Sequence, residues 1–380
     1  MRFFSFSETN TSASWRRTRM RIPRTKSEID TPALILDHQK LKNNIQKMAD
    51  FFKDKPAKLR PHFKTPKTVE IAKMQLDTGA VGITCAKVSE AEELVNAGVK
   101  DILIANEIVG ETKIKRLVRL LKKGADVKVA VDSEENICEL SRLMGQARIS
   151  LGVLIDINVG LPRCGVSPEK SLELARLIAK SPGLKLRGIM GYEGHIVLVE
   201  DRKFREDECK KSLEKLIQAK EILERDGYEI QIVSAGGTGT YYITGAYPGI
   251  TEVQAGSYCL MDTRYDKLGL GFEKAVTVLA TVISKAFAPF IITDAGEKTM
   301  SIEFGMPELI GFPGARLVML SEEHGHILVE GTPPDLKIGD KVEFYPSHIC
   351  TTINLNDRLW VVDQDRVIDC WKISARGLSR

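Results

Sequence analysis

A chain of 380 residues, 43% hydrophobic and 28% charged, has the composition of a soluble globular protein long enough for two domains and a large core. Its net charge of +4 is concentrated at the N-terminus, where Arg2, Arg16, Arg17, Arg19, Arg21 and Arg24 meet one early acid, Glu8. The rest is near neutral, which argues against a nucleic-acid face. No apolar run is long enough to span a bilayer. The seven cysteines are irregularly spaced, with no Cys-x-x-Cys. That argues against a disulfide framework or a Cys-only zinc site and fits a reducing, cytoplasmic setting.

Residues 1–29 read as an N-terminal extension. Their Arg- and Ser-rich, acid-poor composition would suit a targeting peptide. The lack of an apolar h-region and of a small-residue cleavage site favours a plain extension, with the fold starting near Thr31. An amphipathic helix follows over 37–54, where Leu41, Ile45, Met48 and Phe52 recur at helical spacing. Apolar strands are predicted at 58–64, 80–86, 101–106, 126–132, 150–159, 185–193, 229–237 and 251–262. Between them lie helical segments, several opening on a Ser that can cap them and closing at a Gly. Eight such strands within about 210 residues favour a closed (β/α)8 TIM-like barrel over an open doubly wound sheet. Residues 30–262 are therefore assigned to the barrel. After Asp262 the chain turns strand-rich and punctuated by turn residues, so 263–380 is predicted to be a β-domain.

Barrel active sites gather at the C-terminal ends of the strands, and the unusual polar residues fall there. His62 and Lys64 close the first strand, Asn106 the third and Asp132 the fourth; Arg163 and Cys164 follow the fifth. Tyr192, Glu193 and His195 end the sixth, Gly236, Gly237, Thr238 and Gly239 the seventh, and Ser257 and Tyr258 lie at the eighth. A lysine inside a barrel mouth is desolvated, which lowers its pKa and frees its amine for Schiff-base chemistry. A solvated strand-end lysine is the plainer reading, but the Gly-Gly-Thr-Gly loop shifts the balance. Consecutive glycines let backbone N–H groups approach an anion, and barrel phosphate sites commonly use the loops after strands seven and eight. In the β-domain, His348 and Cys350 are two apart, which on a strand points both to one side. Imidazole and thiolate suit zinc or a similar divalent ion, with substrate or water completing the shell. A coincidental polar pair is the alternative. His324 is a further imidazole of that region.

The stretches DTPALILD (30–37), RPHFK (60–64), GITCAKVSEAEELVNAG (82–98), RCGVS (163–167), GGTGT (236–240), TEVQAGSYCLMD (251–262), PSHICTTINLND (346–357) and ISARGLSR (373–380) together resemble the metal-activated D-threonine aldolases and their relatives, the eukaryotic-type D-serine dehydratases. The resemblance implies an alanine-racemase-like fold, pyridoxal 5'-phosphate, a divalent metal (zinc or manganese) and a homodimer. It implies Lys64 as the Schiff-base lysine, Arg163 near the cofactor phenolate oxygen and Tyr192 at the pyridine nitrogen. Gly237, Thr238, Gly239, Ser257 and Tyr258 would hold the phosphate, and His348 and Cys350 the metal. His62 and His195 are the candidate bases. Three positions depart from the aldolase pattern: Cys350 stands where aldolases carry an acid, Pro66 where a histidine is common, and Glu193 and His195 where Tyr-His-Gly is more usual. The expected activity is retro-aldol cleavage of a D-3-hydroxy amino acid to glycine and an aldehyde. The alternatives are a D-serine or D-3-hydroxyaspartate dehydratase, which Cys350 favours, an amino-acid racemase, and a non-catalytic cofactor carrier.

Overall fold

The computed structural model of the protein describes residues 22–331 and 334–380. Most of the basic N-terminal segment, and the question of a targeting peptide with it, lies outside the described residues. The chain joins the fold earlier than Thr31. Thr25 bridges Arg366, the Val367 N–H reaches the Arg24 carbonyl at 3.0 Å, and Ile29 is buried.

Strand β1 (Ala33–Asp37) leads into the helix His38–Lys53, which Asp37 caps through the Lys40 N–H. That helix buries Leu41, Ile45, Met48 and Phe52, the stripe expected from the sequence. The eight predicted strands follow as β2 (Lys58–Leu59), β3 (Ile83–Cys85), β4 (Asp101–Glu107), β5 (Asp126–Val131), β6 (Leu151–Asp156), β7 (Leu184–Gly191), β8 (Ile232–Ala235) and β9 (Glu252–Val253), the first and last far shorter than predicted, so that His62, Lys64, Ser257 and Tyr258 lie beyond them. They form one sheet in the order β2-β9-β8-β7-β6-β5-β4-β3, with every pairing parallel. A parallel bridge between His62 and Thr84, with the Phe63 N–H on the Thr84 carbonyl at 2.8 Å, joins the two ends of that row. The sheet thus curls into a TIM-like barrel rather than lying open. Inside it, Leu103, Ala130, Leu154, Met190 and Ile232 form a separate apolar layer.

The helix ends differ in part from expectation. Side-chain N-caps come from Asp37, Asp201 and Asp262, and Ser133 makes no capping bond. Glycine closure holds: Gly98, Gly124 and Gly227 adopt positive φ just past their helices.

The second sheet has nine strands: β10 (Val276–Ser284), β11 (Phe290–Thr293), β12 (Glu308–Leu309), β13 (Ala315–Leu320), β14 (Gly325–Val329), β15 (Lys341–Tyr345), β16 (Arg358–Asp363) and β17 (Arg366–Lys372), together with β1. Most pairings are antiparallel, but β1 runs parallel to β16. The β-domain sheet therefore borrows a strand from before the barrel, which ties the two parts together at both ends. The C-terminal tail adds a third tie: the Ala375 N–H meets the Lys67 carbonyl, and the Ser89 N–H the Arg380 carbonyl, each at 3.0 Å.

Candidate active site

A cavity of about 530 Å³ opens at the C-terminal end of the barrel strands. Its walls include His62, Lys64, Arg163, Tyr192, Gly237, Thr238 and Ser257 from the barrel, and His348, Cys350 and Phe304 from the β-domain. Residues nearly three hundred positions apart in sequence thus share one space.

Lys64 stands at the centre. Burial pulls its amine below the ordinary lysine value and the Arg163 charge does the same, against opposing pulls from Cys350 and Glu90. Its Nζ and the Arg163 guanidinium carbon each lie 5.6 Å from the centre of the Tyr192 ring, so both basic side chains gather at one aromatic face. Burial pushes the Tyr192 hydroxyl up, and the phenol stays protonated. His62 supports the lysine from behind: its Nδ1 accepts the Lys64 N–H at 3.3 Å, and its ring also bonds the Thr84 backbone. Burial, with the nearby Lys64 charge, drives His62 well below the ordinary histidine value, toward its neutral form. His195 lies apart. It is exposed, does not line the cavity, and places its ring against Gly160, where an added Cβ would meet it at 2.7 Å.

The glycine loop follows β8. Gly236 adopts φ +83, a conformation costly for other residues. A Cβ at Gly239 would sit 1.8 Å from the Val197 carbonyl oxygen. Not every predicted phosphate residue offers a free donor. The Gly237 N–H goes to Thr240 Oγ1 at 3.2 Å and the Tyr258 N–H to Thr238 Oγ1 at 3.0 Å. The Tyr258 hydroxyl is buried against Gln75 at 2.9 Å.

The His348–Cys350 pair is built differently from the expectation. His348 is the N-cap of the helix Ile349–Leu355 and Cys350 lies in its first turn, so they are not alternate residues of a strand. They still meet, because the helix start folds both side chains inward. Asp262, at the end of the barrel, pins that start by accepting the Ile349 N–H at 3.0 Å, and the Thr263 N–H reaches the Pro346 carbonyl. His348 Nδ1 lies 2.7 Å from Glu303 Oε2, and its ring stacks on Phe304 at 4.2 Å. Burial pulls His348 down, but its bond to Cys350 and the charges of Cys350 and Glu303 raise it to about 9. Burial pushes the Cys350 thiol up, yet His348, Thr65 and Lys64 bring it below its ordinary value. Thr65 Oγ1 touches the sulfur at 3.2 Å and Ser257 Oγ at 3.8 Å.

Both implied groups fit these residues. Lys64, the ring of Tyr192 and a glycine loop whose Gly239 leaves no room for a Cβ form a cradle suited to an aldehyde cofactor with a phosphate. An imidazole whose far nitrogen is held by a carboxylate, beside a thiol inclined to ionise, is a donor set for a divalent ion. Among the described residues, the potential ligands that gather as a trio within 4.8 Å are Glu107, Asp132 and Cys164, at the ends of β4 and β5 and after β6. Asp156 lies against the Glu107 member of that trio. Burial, then the charge and hydrogen bond of Glu107, push the Asp156 carboxyl up to about 8. His324 does not line the cavity. Thr65, Glu303 and Phe304 were missed in the sequence, and no local pattern marks them.

The fold and site define an alanine-racemase-like barrel enzyme with an added β-domain. A family profile described as "Alanine racemase, N-terminal domain" matches residues 36–264, and one described as "Putative serine dehydratase domain" matches 275–362. The chain belongs to this alanine-racemase-like family, in the branch of the D-threonine and 3-hydroxy-D-aspartate aldolases. It is 38% identical to the D-threonine aldolase of Arthrobacter sp, covering 93% of this chain and 94% of the relative. It is 37% identical to the 3-hydroxy-D-aspartate aldolase of Paracoccus denitrificans (strain Pd 1222), covering 93% of each. The crystal structure of D-threonine aldolase from Filomicrobium marinum superposes with a TM-score of 0.91 at 36% identity, over 95% of this chain and 99% of that one. Relatives named as dehydratases are more distant, at 29% and 24% identity. The protein is accordingly a lyase of the aldolase type, and no helix among the described residues is long and apolar enough to cross a membrane.

Proposed function

We propose that the protein cleaves D-3-hydroxy amino acids to glycine and an aldehyde, using pyridoxal phosphate at Lys64 and a divalent ion at His348 and Cys350. The observation that carries this reading is the shared cavity: the buried amine of Lys64 and the imidazole–thiol pair of the β-domain face the same space. When bound, pyridoxal phosphate supplies an electron sink for the bond broken at the α-carbon, and the metal a Lewis acid for the β-oxygen.

The chain's own residues then have separable tasks. Lys64, whose amine burial pulls below the ordinary lysine value, would be the nucleophilic amine that holds the cofactor. Arg163, beside the Tyr192 ring, would face the cofactor's phenolate oxygen. Tyr192, protonated at all working pH, stays a hydrogen-bond donor. His62 orients the Lys64 backbone, and its lowered pKa makes it a weak base. His195 keeps a ring with no hydrogen-bond partner among the described residues and directly follows Gly194, which lines the cavity. Its own ring lies against Gly160 outside the cavity, so it would have to turn inward to take the β-hydroxyl proton. Glu303 fixes the His348 tautomer so that Nε2 is presented to the ion.

A thiolate beside an imidazole suits zinc, and manganese is the alternative that the resemblance implies. A homodimer and a cytoplasmic setting belong to the same reading. Incubation of the cofactor-loaded protein with D-threonine and a divalent metal tests it. Glycine and acetaldehyde are expected, whereas 2-oxobutanoate and ammonia would make Cys350 the better guide and the protein a dehydratase.

A further inference from the structure

Glu193 is fully buried, behind the glycine loop rather than in the cavity, and none of the steps above uses it. Burying a carboxylate is costly unless donors surround it. Here they do: the Gly236 N–H at 3.1 Å, the Thr240 hydroxyl at 2.7 Å, the Thr244 hydroxyl at 2.9 Å and the Cys209 thiol at 3.8 Å. Two of these four partners belong to the loop itself.

The consequence is a division of the loop's N–H groups. Glu193 takes that of Gly236. Thr240, whose hydroxyl proton is committed to Glu193, turns its oxygen to the Gly237 N–H at 3.2 Å. The N–H groups of Thr238 and Gly239 have no acceptor among the described residues, and Thr238 lines the cavity. A carboxylate this close to an anion site is electrostatically unfavourable for the anion. Its contribution is therefore geometric: it sets which donors turn away and which stay open.

We propose that Glu193 is the positioning residue of the phosphate loop, acting through Thr240 to turn the Gly236 and Gly237 N–H groups inward and leave those of Thr238 and Gly239 for the cofactor's phosphate. The inference rests on the cofactor reading above, so wild-type binding is measured first. Failure of the wild-type protein to bind pyridoxal phosphate would defeat that reading, and this one with it.

The test is a pair of titrations of the apo protein, one with pyridoxal phosphate and one with pyridoxal, which lacks the phosphate. Thr240→Val keeps the side-chain shape and removes both bonds. Glu193→Gln keeps the shape and faces the Gly236 N–H with a possible donor. Each variant is expected to weaken pyridoxal phosphate about tenfold or more while leaving pyridoxal unchanged, and Thr240→Ser should restore the wild-type value. Should Glu193→Gln not fold, Thr240→Val decides alone. Wild-type affinity for pyridoxal phosphate in Thr240→Val, or an equal loss of both ligands, would overturn the proposal.

Discussion

The two ends of the barrel handle buried charge in opposite ways. At the floor, where β4, β5 and β9 begin, the Arg60 guanidinium forks onto Glu252 at 2.8 and 2.6 Å and reaches Asp101 at 2.6 Å. Lys128 closes the network on Asp101 at 2.8 Å and Asp126 at 2.7 Å. Burial works against the Arg60 charge, but Glu252 and Asp101 outweigh it and raise its pKa; Asp101, also resisted by burial, is held down by Arg60 and Lys128. Every charge there is answered by another. At the mouth, Lys64 and His62 are pulled away from their charged forms by burial. Among the described residues no carboxylate is bonded to either of these two side chains, whereas His348 and Cys350, from the β-domain, pair with each other and His348 with Glu303. A saturated network holds a fold; an unsaturated one is available to a ligand.

Breaking this contrast at its strongest point means removing Lys64. Lys64→Ala should lower cleavage by roughly 10⁴-fold or more and abolish the visible absorbance of the covalently held cofactor, as read by spectrophotometry. Retention of that band would place the covalent link elsewhere. At the floor, Glu252→Ala leaves Arg60 buried with half its partners and should cost about 3–5 kcal/mol of stability in denaturant unfolding. Its cofactor affinity should match wild type wherever the protein is folded. An equal loss in both quantities would erase the distinction between the two ends.

The metal side gives a smaller, graded effect. Glu303→Ala frees His348 Nδ1 and should weaken metal affinity about 10- to 100-fold in competition titrations, with cofactor affinity unchanged. The smallest effect is on pH dependence. Folded His62 resists protonation, whereas the unfolded chain takes up a proton near pH 6.5. The unfolded state therefore binds more protons as pH falls through that value, and stability declines on the acid side. His62→Gln should flatten that decline in thermal unfolding; an unchanged pH profile would show that His62 titrates normally.

Much of the barrel was legible because periodicity is local. Each strand carries its own apolar run, and the helix His38–Lys53 its own stripe. Assignment of the first strand, β1, was not, since Ala33–Asp37 pairs with residues more than two hundred positions away and only the tertiary fold decides which sheet receives it. Lys64 and the glycine loop could be picked out from their places at strand ends. His348 and Cys350 were found as residue types but set on the wrong element, because a two-residue spacing also occurs where a helix begins. Glu303, Phe304 and Thr65 left no signal, since a residue that acts by touching a distant side chain carries no pattern of its own. Glu193 was visible as a strand-end acid and as a departure from the aldolase pattern, and its position behind the glycine loop gives that departure a physical meaning.

The central claim is that the mouth joins two separable halves, a cofactor held by the barrel and a metal held by the β-domain. It is tested most directly by stripping the loaded protein with a chelator, confirming the metal content, and following cofactor absorbance and D-threonine cleavage together. Cleavage should vanish while the cofactor band persists, and zinc or manganese should restore it. Cleavage that survives with no metal present, or a cofactor lost along with the metal, would contradict the account.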